Sequence, residues 1–263
     1  MDQGCRSQTL THFFNRKVRR SVLLIAVLLA YLAGYLVHSY FVRSDAEFSI
    51  WPRLLIEPDK SPPPYKYDYR FTQDWFSNNI PIWTSALKRY QGKPGVRYLE
   101  IGSWEGRSLL WVLDNILTEP TSRLTAIDPL IDDPGWPASK DIKGTLFSNI
   151  KLSGQEQRVN VIVGFSQVEL RKLPLESYDI VYIDGSHTSK DTLEDLVLSS
   201  RLLKRGGLLI MDDYQHYAER ELFDRPKFSM DAFYAAFRGE FDVVHYGWQV
   251  ILKKSGGRGS FLF

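Results

Sequence analysis

Tyr98-Leu-Glu-Ile-Gly-Ser-Trp-Glu-Gly106 has the pattern of a buried strand running into a glycine turn. Its first half is apolar apart from one acid, as in a buried strand, and its second half turns on two glycines. Tyr178-Asp-Ile-Val-Tyr-Ile-Asp-Gly-Ser-His187 repeats the form further on: a buried strand that closes in an acid and a histidine. Short apolar runs of this kind, each followed by a helical pattern, belong to a parallel sheet with helices on both faces.

Val96–Ile101, Leu124–Asp128, Val159–Val163, Tyr178–Asp184 and Leu208–Met211 read as five successive strands. Arg107–Leu117 reads as a helix with Leu109, Leu110, Leu113, Ile116 and Leu117 on its apolar face. A second helix is expected over Asp191–Lys204, with Thr188 and Asp191 at capping-box spacing and Gly206-Gly207 as its stop. Met230–Phe237 is expected to be helical, and Phe241–His245 with Gln249–Lys253 forms a closing antiparallel hairpin. The expectation is a Rossmann-like, mostly parallel seven-stranded α/β sheet.

Before the domain, Arg16, Lys17, Arg19 and Arg20 precede an uncharged stretch from Ser21 to Val42. About 20 apolar residues suffice to cross a bilayer. A cleaved signal peptide fits the position, but the run is long for one and no small-x-small site follows it. The reading is therefore a basic tail over 1–20, a transmembrane anchor over 21–42 and a stiff Pro-rich spacer over 43–69. The domain then spans 70–254 and a loose tail 255–263. The basic flank predicts a single-pass membrane protein with a cytoplasmic N-terminus and the domain on the far side. Cys5 is the chain's single cysteine, so the domain has no disulfide. Trp75, Phe76, Ile80, Ile82, Trp83 and Leu87 read as a helical extension packed on the core. With 33 Lys+Arg against 31 Asp+Glu, nothing in the charge argues for nucleic acid.

Open α/β sheets bind ligands beyond the carboxyl ends of their strands. Gly102 and Gly106 lie there and let a backbone approach a ligand, yet their spacing is not Gly-x-Gly-x-x-Gly. That weakens a nicotinamide dehydrogenase. Glu100 would repel a pyrophosphate but attract an ammonium, and Asp128 can accept ribose hydroxyls. A ligand with a ribose and an amino-acid moiety but no phosphate satisfies both, and S-adenosylmethionine is such a ligand. Asp184, Asp212 and Asp213 end two neighbouring strands, and three carboxylates at one rim suit a magnesium ion. His187 is placed to act as general base, since an ordinary imidazole titrates near about 6.5, with Lys190 as the alternative.

Tyr98–Ser108, Leu124–Pro129, Gly164-Phe-Ser-Gln167, Tyr178–His187 and Gly206–Tyr214 together resemble the motifs of class I S-adenosylmethionine-dependent methyltransferases. The subgroup sharing Asp-Gly-Ser-His and a later Asp-Asp is the most similar, and Asp74–Trp83 also resembles its lead-in. The resemblance implies that Glu100, Gly102, Ser103 and Gly106 line the methionine end. It further implies that Asp128 holds the ribose and that Ser166 and Gln167 border the adenine; Asp184 is also expected to meet the cofactor. Phe165 replaces the alanine of catechol-type enzymes, which this loop otherwise resembles. Those enzymes have lysine at the position of His187, whereas macrolide-sugar O-methyltransferases have histidine. The expected activity is magnesium-dependent O-methylation of a hydroxylated small molecule or sugar. The rivals are a membrane-tethered scaffold that keeps the fold without turnover and a hydroxylase-associated relative. Homo-oligomerisation stays open.

Overall fold

Seven strands form one sheet: β1 Arg97–Ile101, β2 Arg123–Asp128, β3 Val159–Val163, β4 Tyr178–Ile183, β5 Leu203–Met211, β6 Phe241–Tyr246 and β7 Val250–Lys254. Their order is β3-β2-β1-β4-β5-β7-β6. β1 to β5 run parallel, and β7 lies antiparallel between β5 and β6. The order reverses between β1 and β4, which opens a crevice at their carboxyl ends. The computed structural model describes Leu32 and residues 56–132, 134–135 and 140–255. From Ile56 onward these fall in one compact unit, Trp51–Phe263.

The side-chain alternation of a strand sorts the core onto two faces. Tyr98, Leu124, Ile180, Tyr182, Leu208, Ile210 and Ile251 pack against α1 (Ile80–Leu87) and α2 (Arg107–Asn115). Leu99, Ile101, Val181, Ile183, Leu209 and Met211 pack on the other face with Leu196 and Phe233. Those two belong to α5 (Ser189–Leu202) and α6 (Pro226–Phe237). Between α2 and α5 in sequence lie α3 (Ile142–Leu152) and the short α4 (Ser166–Glu169). The helical extension packs as expected: Trp83 is fully buried, with its ring edge-on to Tyr182 at 4.8 Å.

Three features depart from the sequence reading. Helix α3 was not foreseen, although Ile142, Leu146 and Ile150 are all buried along it. Helix α5 starts after its Thr188 cap as expected but stops at Leu202, and β5 begins at once. The pairing Tyr178↔Leu203 is followed by Ile180↔Leu208, so Lys204 to Gly207 bulge out of the sheet opposite Asp179. Finally, residues 63–72, which include the end of the expected spacer, lie against α2 and α3 as a strap. Pro63 and Pro64 carbonyls accept from Trp111 Nε1 (3.0 Å) and Asn115 Nδ2 (3.2 Å). Asp114 accepts from the Lys66 amide (2.9 Å), and Asn149 Oδ1 from the Arg70 amide (2.9 Å). Proline removes backbone donors but leaves strong carbonyl acceptors, which side chains of α2 exploit.

The single-pass membrane assignment is corrected. Among the described residues no helix is long and apolar enough to cross a membrane. The longest of them, α5, has 14 residues, a length of about 21 Å against about 30 Å of hydrocarbon. The expected anchor 21–42, apart from Leu32, lies outside the described residues, as do 1–20, 43–55 and 256–263.

Candidate active site

The glycine turn after β1 is held from below. Glu100 is fully buried, accepting from Tyr98 Oη (2.7 Å) and Ser108 Oγ (2.9 Å). Burial pushes its carboxyl up to about 7, against the opposing pull of these two hydroxyls. Gly102 has φ +81°, and a Cβ there would lie 1.9 Å from the Asp184 carbonyl oxygen. This glycine therefore lets β1 and β4 end side by side, a closer reason for it than ligand approach. Gly106 has φ +86°, and a Cβ there would meet Leu146 of α3 at 2.7 Å.

Asp128 reaches under the same turn. One carboxylate oxygen accepts from the amides of Ser103 (2.7 Å) and Trp104 (3.0 Å), the other from Leu130 (2.7 Å). Of roughly four lone-pair positions on a carboxylate, one is left for a ligand hydroxyl. The Asp128 carbonyl also accepts from Gly164 (3.1 Å), which ties the start of α4, and so Ser166 and Gln167, to the same rim. Ser103 Oγ and Trp104 Nε1 are buried without a hydrogen-bond partner among the described residues. Buried polar atoms are rarely left so, and a polar ligand over the turn would satisfy them.

At the ends of β4 and β5, ligand atoms of Asp184, His187 and Asp213 lie within 4.8 Å of one another. His187 Nδ1 is 2.8 Å from Asp213 Oδ2, and His216 Nδ1 is 3.2 Å from Asp213 Oδ1. The first contact lowers the Asp213 carboxyl below the usual range despite its burial. Asp213 adopts φ +61°, a left-handed conformation that aspartate tolerates better than most residues. Asp212 faces elsewhere: it accepts from Tyr182 Oη (2.5 Å) and Gln249 Nε2 (2.6 Å), and burial raises it to about 6. The expected trio of Asp184, Asp212 and Asp213 thus divides, with His187 in the cluster and Asp212 behind it.

Tyr182 and Gln249 were not singled out by sequence. Tyr182 Oη also contacts Asp184 Oδ2 at 2.9 Å. A phenol has one proton to give and here meets two carboxylates, so their mutual repulsion is only partly relieved by it. Burial, then Asp212 and Asp213, push Asp184 well above the ordinary range. Gln249 Oε1 in turn accepts from Trp83 Nε1 (2.7 Å), which links α1 to the rim. Lys190 is exposed on the first turn of α5, with no ion pair among the described residues. Arg220 donates to the His187 carbonyl (2.7 Å) and lies 3.7 Å over the Tyr217 ring, closing one side of the cluster. Of the expected substrate loop 130–138, residues 133 and 136–138 lie outside the described residues.

The strand order, the glycine turn over Asp128 and the acidic rim define a class I S-adenosylmethionine-dependent methyltransferase fold. Residues 99–214 match the family model described as a methyltransferase domain. A Klebsiella pneumoniae protein, provisionally described as an O-methyltransferase, superposes with a TM-score of 0.53 at 18% identity. That alignment covers 70% of this chain and 83% of the other. MycE methyltransferase from the mycinamycin biosynthetic pathway, in complex with Mg, SAH and mycinamycin VI, gives a TM-score of 0.50 at 18% identity. It covers 72% of this chain and 54% of MycE. SAH-bound Podospora anserina methyltransferase PaMTH1 also gives 0.50, at 17% identity over 71% of this chain and 82% of the other. Uncharacterized protein R132 of Acanthamoeba polyphaga mimivirus is 30% identical over 131 residues, 48% of this chain. The match spans 54% of that curated relative, about half its length.

Proposed function

We propose that the chain methylates a hydroxyl of a small-molecule or sugar acceptor, using S-adenosylmethionine with the help of a divalent cation. The convergence of Asp184, His187 and Asp213 beside the glycine turn carries this reading. S-adenosylmethionine supplies an activated methyl group, and a divalent cation lowers the pKa of a hydroxyl bound to it. The chain's donors suit both. Ser103 Oγ and Trp104 Nε1 wait unpartnered at the turn, Asp128 has capacity for a ribose hydroxyl, and the crowded carboxylates of Asp184, Asp212 and Asp213 favour a positive charge.

Asp184 and Asp213 would hold the cation, with Asp212 fixing Asp184 through Tyr182. Asp213 orients the His187 ring by its contact with Nδ1, so Nδ1 carries the hydrogen and Nε2 is the basic atom. His187 Nε2 would take the proton from the acceptor hydroxyl, and Asp213 would stabilise the imidazolium. A tethered scaffold without turnover would have no use for such a rim, since buried like charges cost stability.

Calorimetric titration of the full chain with S-adenosylmethionine, with and without magnesium, tests the reading. The expected result is cofactor binding, followed by label transfer in a screen of vicinal diols and sugars. A folded chain that does not bind S-adenosylmethionine would overturn it.

A further inference from the structure

The bulge of β5 forms a feature that the rim chemistry does not use. At the amino ends of the central strands, opposite the candidate active site, a cavity of about 430 Å³ opens between three chain segments. Arg89 and Tyr90 come from the turn after α1, Lys93 to Val96 from the approach to β1, and Lys204 to Gly207 from the bulge, with Asp179 of β4 between them. Its volume lies in the range of small-molecule pockets, roughly 300–1,000 Å³.

The charge is one-sided. Four cations, Arg89, Lys93, Lys204 and Arg205, line the cavity against the single carboxylate of Asp179. That carboxylate is already engaged by Lys204 Nζ (2.8 Å) and the Arg97 amide (2.8 Å). Among the described residues, Lys93 and Arg205 have no carboxylate within ion-pair distance, and both are exposed. Arg89 is held in place by the Gly206 carbonyl and the Tyr90 hydroxyl, and stacks on the Tyr90 ring at 4.6 Å. Those bonds use one nitrogen of its fork, and the others remain for a ligand.

The backbone supports the arrangement. Gly206 has φ +79° and Gly95 φ +68°, and a Cβ at either would meet nothing within 4 Å, so both walls are open. Gly207 is pressed against the Asp179 carbonyl, 2.9 Å from where its Cβ would stand, which anchors the bulge to the sheet. Tyr90 Oη donates to the Asp179 carbonyl at 3.1 Å and fixes the third segment to the same point. Bulges of this kind re-aim side chains; this one brings Lys204 and Arg205 into the same lining as Arg89 and Lys93.

From this we infer that the cavity binds a phosphorylated small molecule, with the phosphate dianion among Arg89, Lys93 and Arg205. Guanidinium groups suit phosphate oxygens in fork geometry, and lysine adds a mobile point charge. The site stands apart from the methyl-transfer reading: Asp179 and Asp184 are five residues apart along β4, roughly 16 Å.

The test is calorimetric titration of the full chain with inorganic phosphate and with glycerol 3-phosphate at low salt. A Lys93→Ala/Arg205→Ala double variant, both positions exposed, serves as comparison. Saturable binding is expected, tighter for the ester, weakened at least tenfold in the double variant and falling with added salt. Circular dichroism of the variant should match that of the parent chain. Absence of saturable binding to the parent chain would overturn the proposal, and so would equal affinity in a folded double variant.

Discussion

Gly102, Glu100 and His187 show how much depends on single side chains here. Replacing Gly102 by alanine would press a methyl into the Asp184 backbone at a left-handed φ, with carbonyl on the opposing side rather than a yielding side chain. Gly102→Ala should lower stability by more than about 2 kcal/mol, read from the urea midpoint. Glu100 sets a pH dependence whose sign follows from its raised carboxyl, about 7 when folded against 4.5 ordinarily. Between those values the unfolded chain releases the proton while the folded chain keeps it, so stability falls as pH rises and levels off above about 7. The difference is on the order of 3 kcal/mol. Glu100→Gln should therefore gain relative to the parent at about pH 8 and lose that advantage near about pH 4.5, as compared by denaturant titration. For His187→Ala, turnover should drop by about 10²–10⁴-fold, while S-adenosylmethionine affinity by calorimetry stays within twofold. Retained turnover would remove it as the base. Glu100, Asp128 and His187 stood out in the sequence because each lies at or just past the end of a strand. Tyr182 and Gln249 were not, because they act through Asp212, 30 and 37 residues away.

At the scale of elements, the strands were plain because each is a short apolar run bounded by glycine or acid. The end of α5 was harder. Gly206-Gly207 reads as a helix stop, yet Leu202 and Leu203 are both buried and the chain is already in β5 when it reaches the glycines. A three-residue excess on one strand breaks the alternation that would have announced it. Helix α3 escaped notice because its core face rests on only Ile142, Leu146 and Ile150, one per turn. Within α5, Asp195 has no solvent exposure, and neither carboxyl oxygen has a hydrogen-bond partner among the described residues. Burial pushes it up to about 7; Ser166 nearby pulls it back without reaching bonding geometry. Replacement by a neutral residue of similar size removes that cost, so Asp195→Asn should raise the thermal midpoint at about pH 8. A lower midpoint would show that the carboxylate has a partner in solution.

Across the whole molecule, the central strands carry the acidic rim at their carboxyl ends and the basic cavity at their amino ends. Ligands at either end act on the same folded state. S-adenosylmethionine at one hundred times its dissociation constant should add about 2.7 kcal/mol, or roughly 5–10 °C in the thermal midpoint of a domain this size. No shift at saturating concentration would contradict the assignment of the glycine turn. The general architecture was legible because alternating strand and helix patterns allow few topologies, whereas the strap over α2 and α3 was hidden in a proline-rich stretch that reads as free chain. That strap also orders events during synthesis. Its partners come later in the chain, the last being Asn149, which lies 79 residues beyond Arg70. At about 5–20 residues per second, Tyr65, Tyr69 and Phe71 leave the ribosome several seconds before the helices that cover them exist. The first part of the domain to emerge is thus among the last to settle, and for that interval its aromatic side chains are open to whatever chaperone meets the nascent chain.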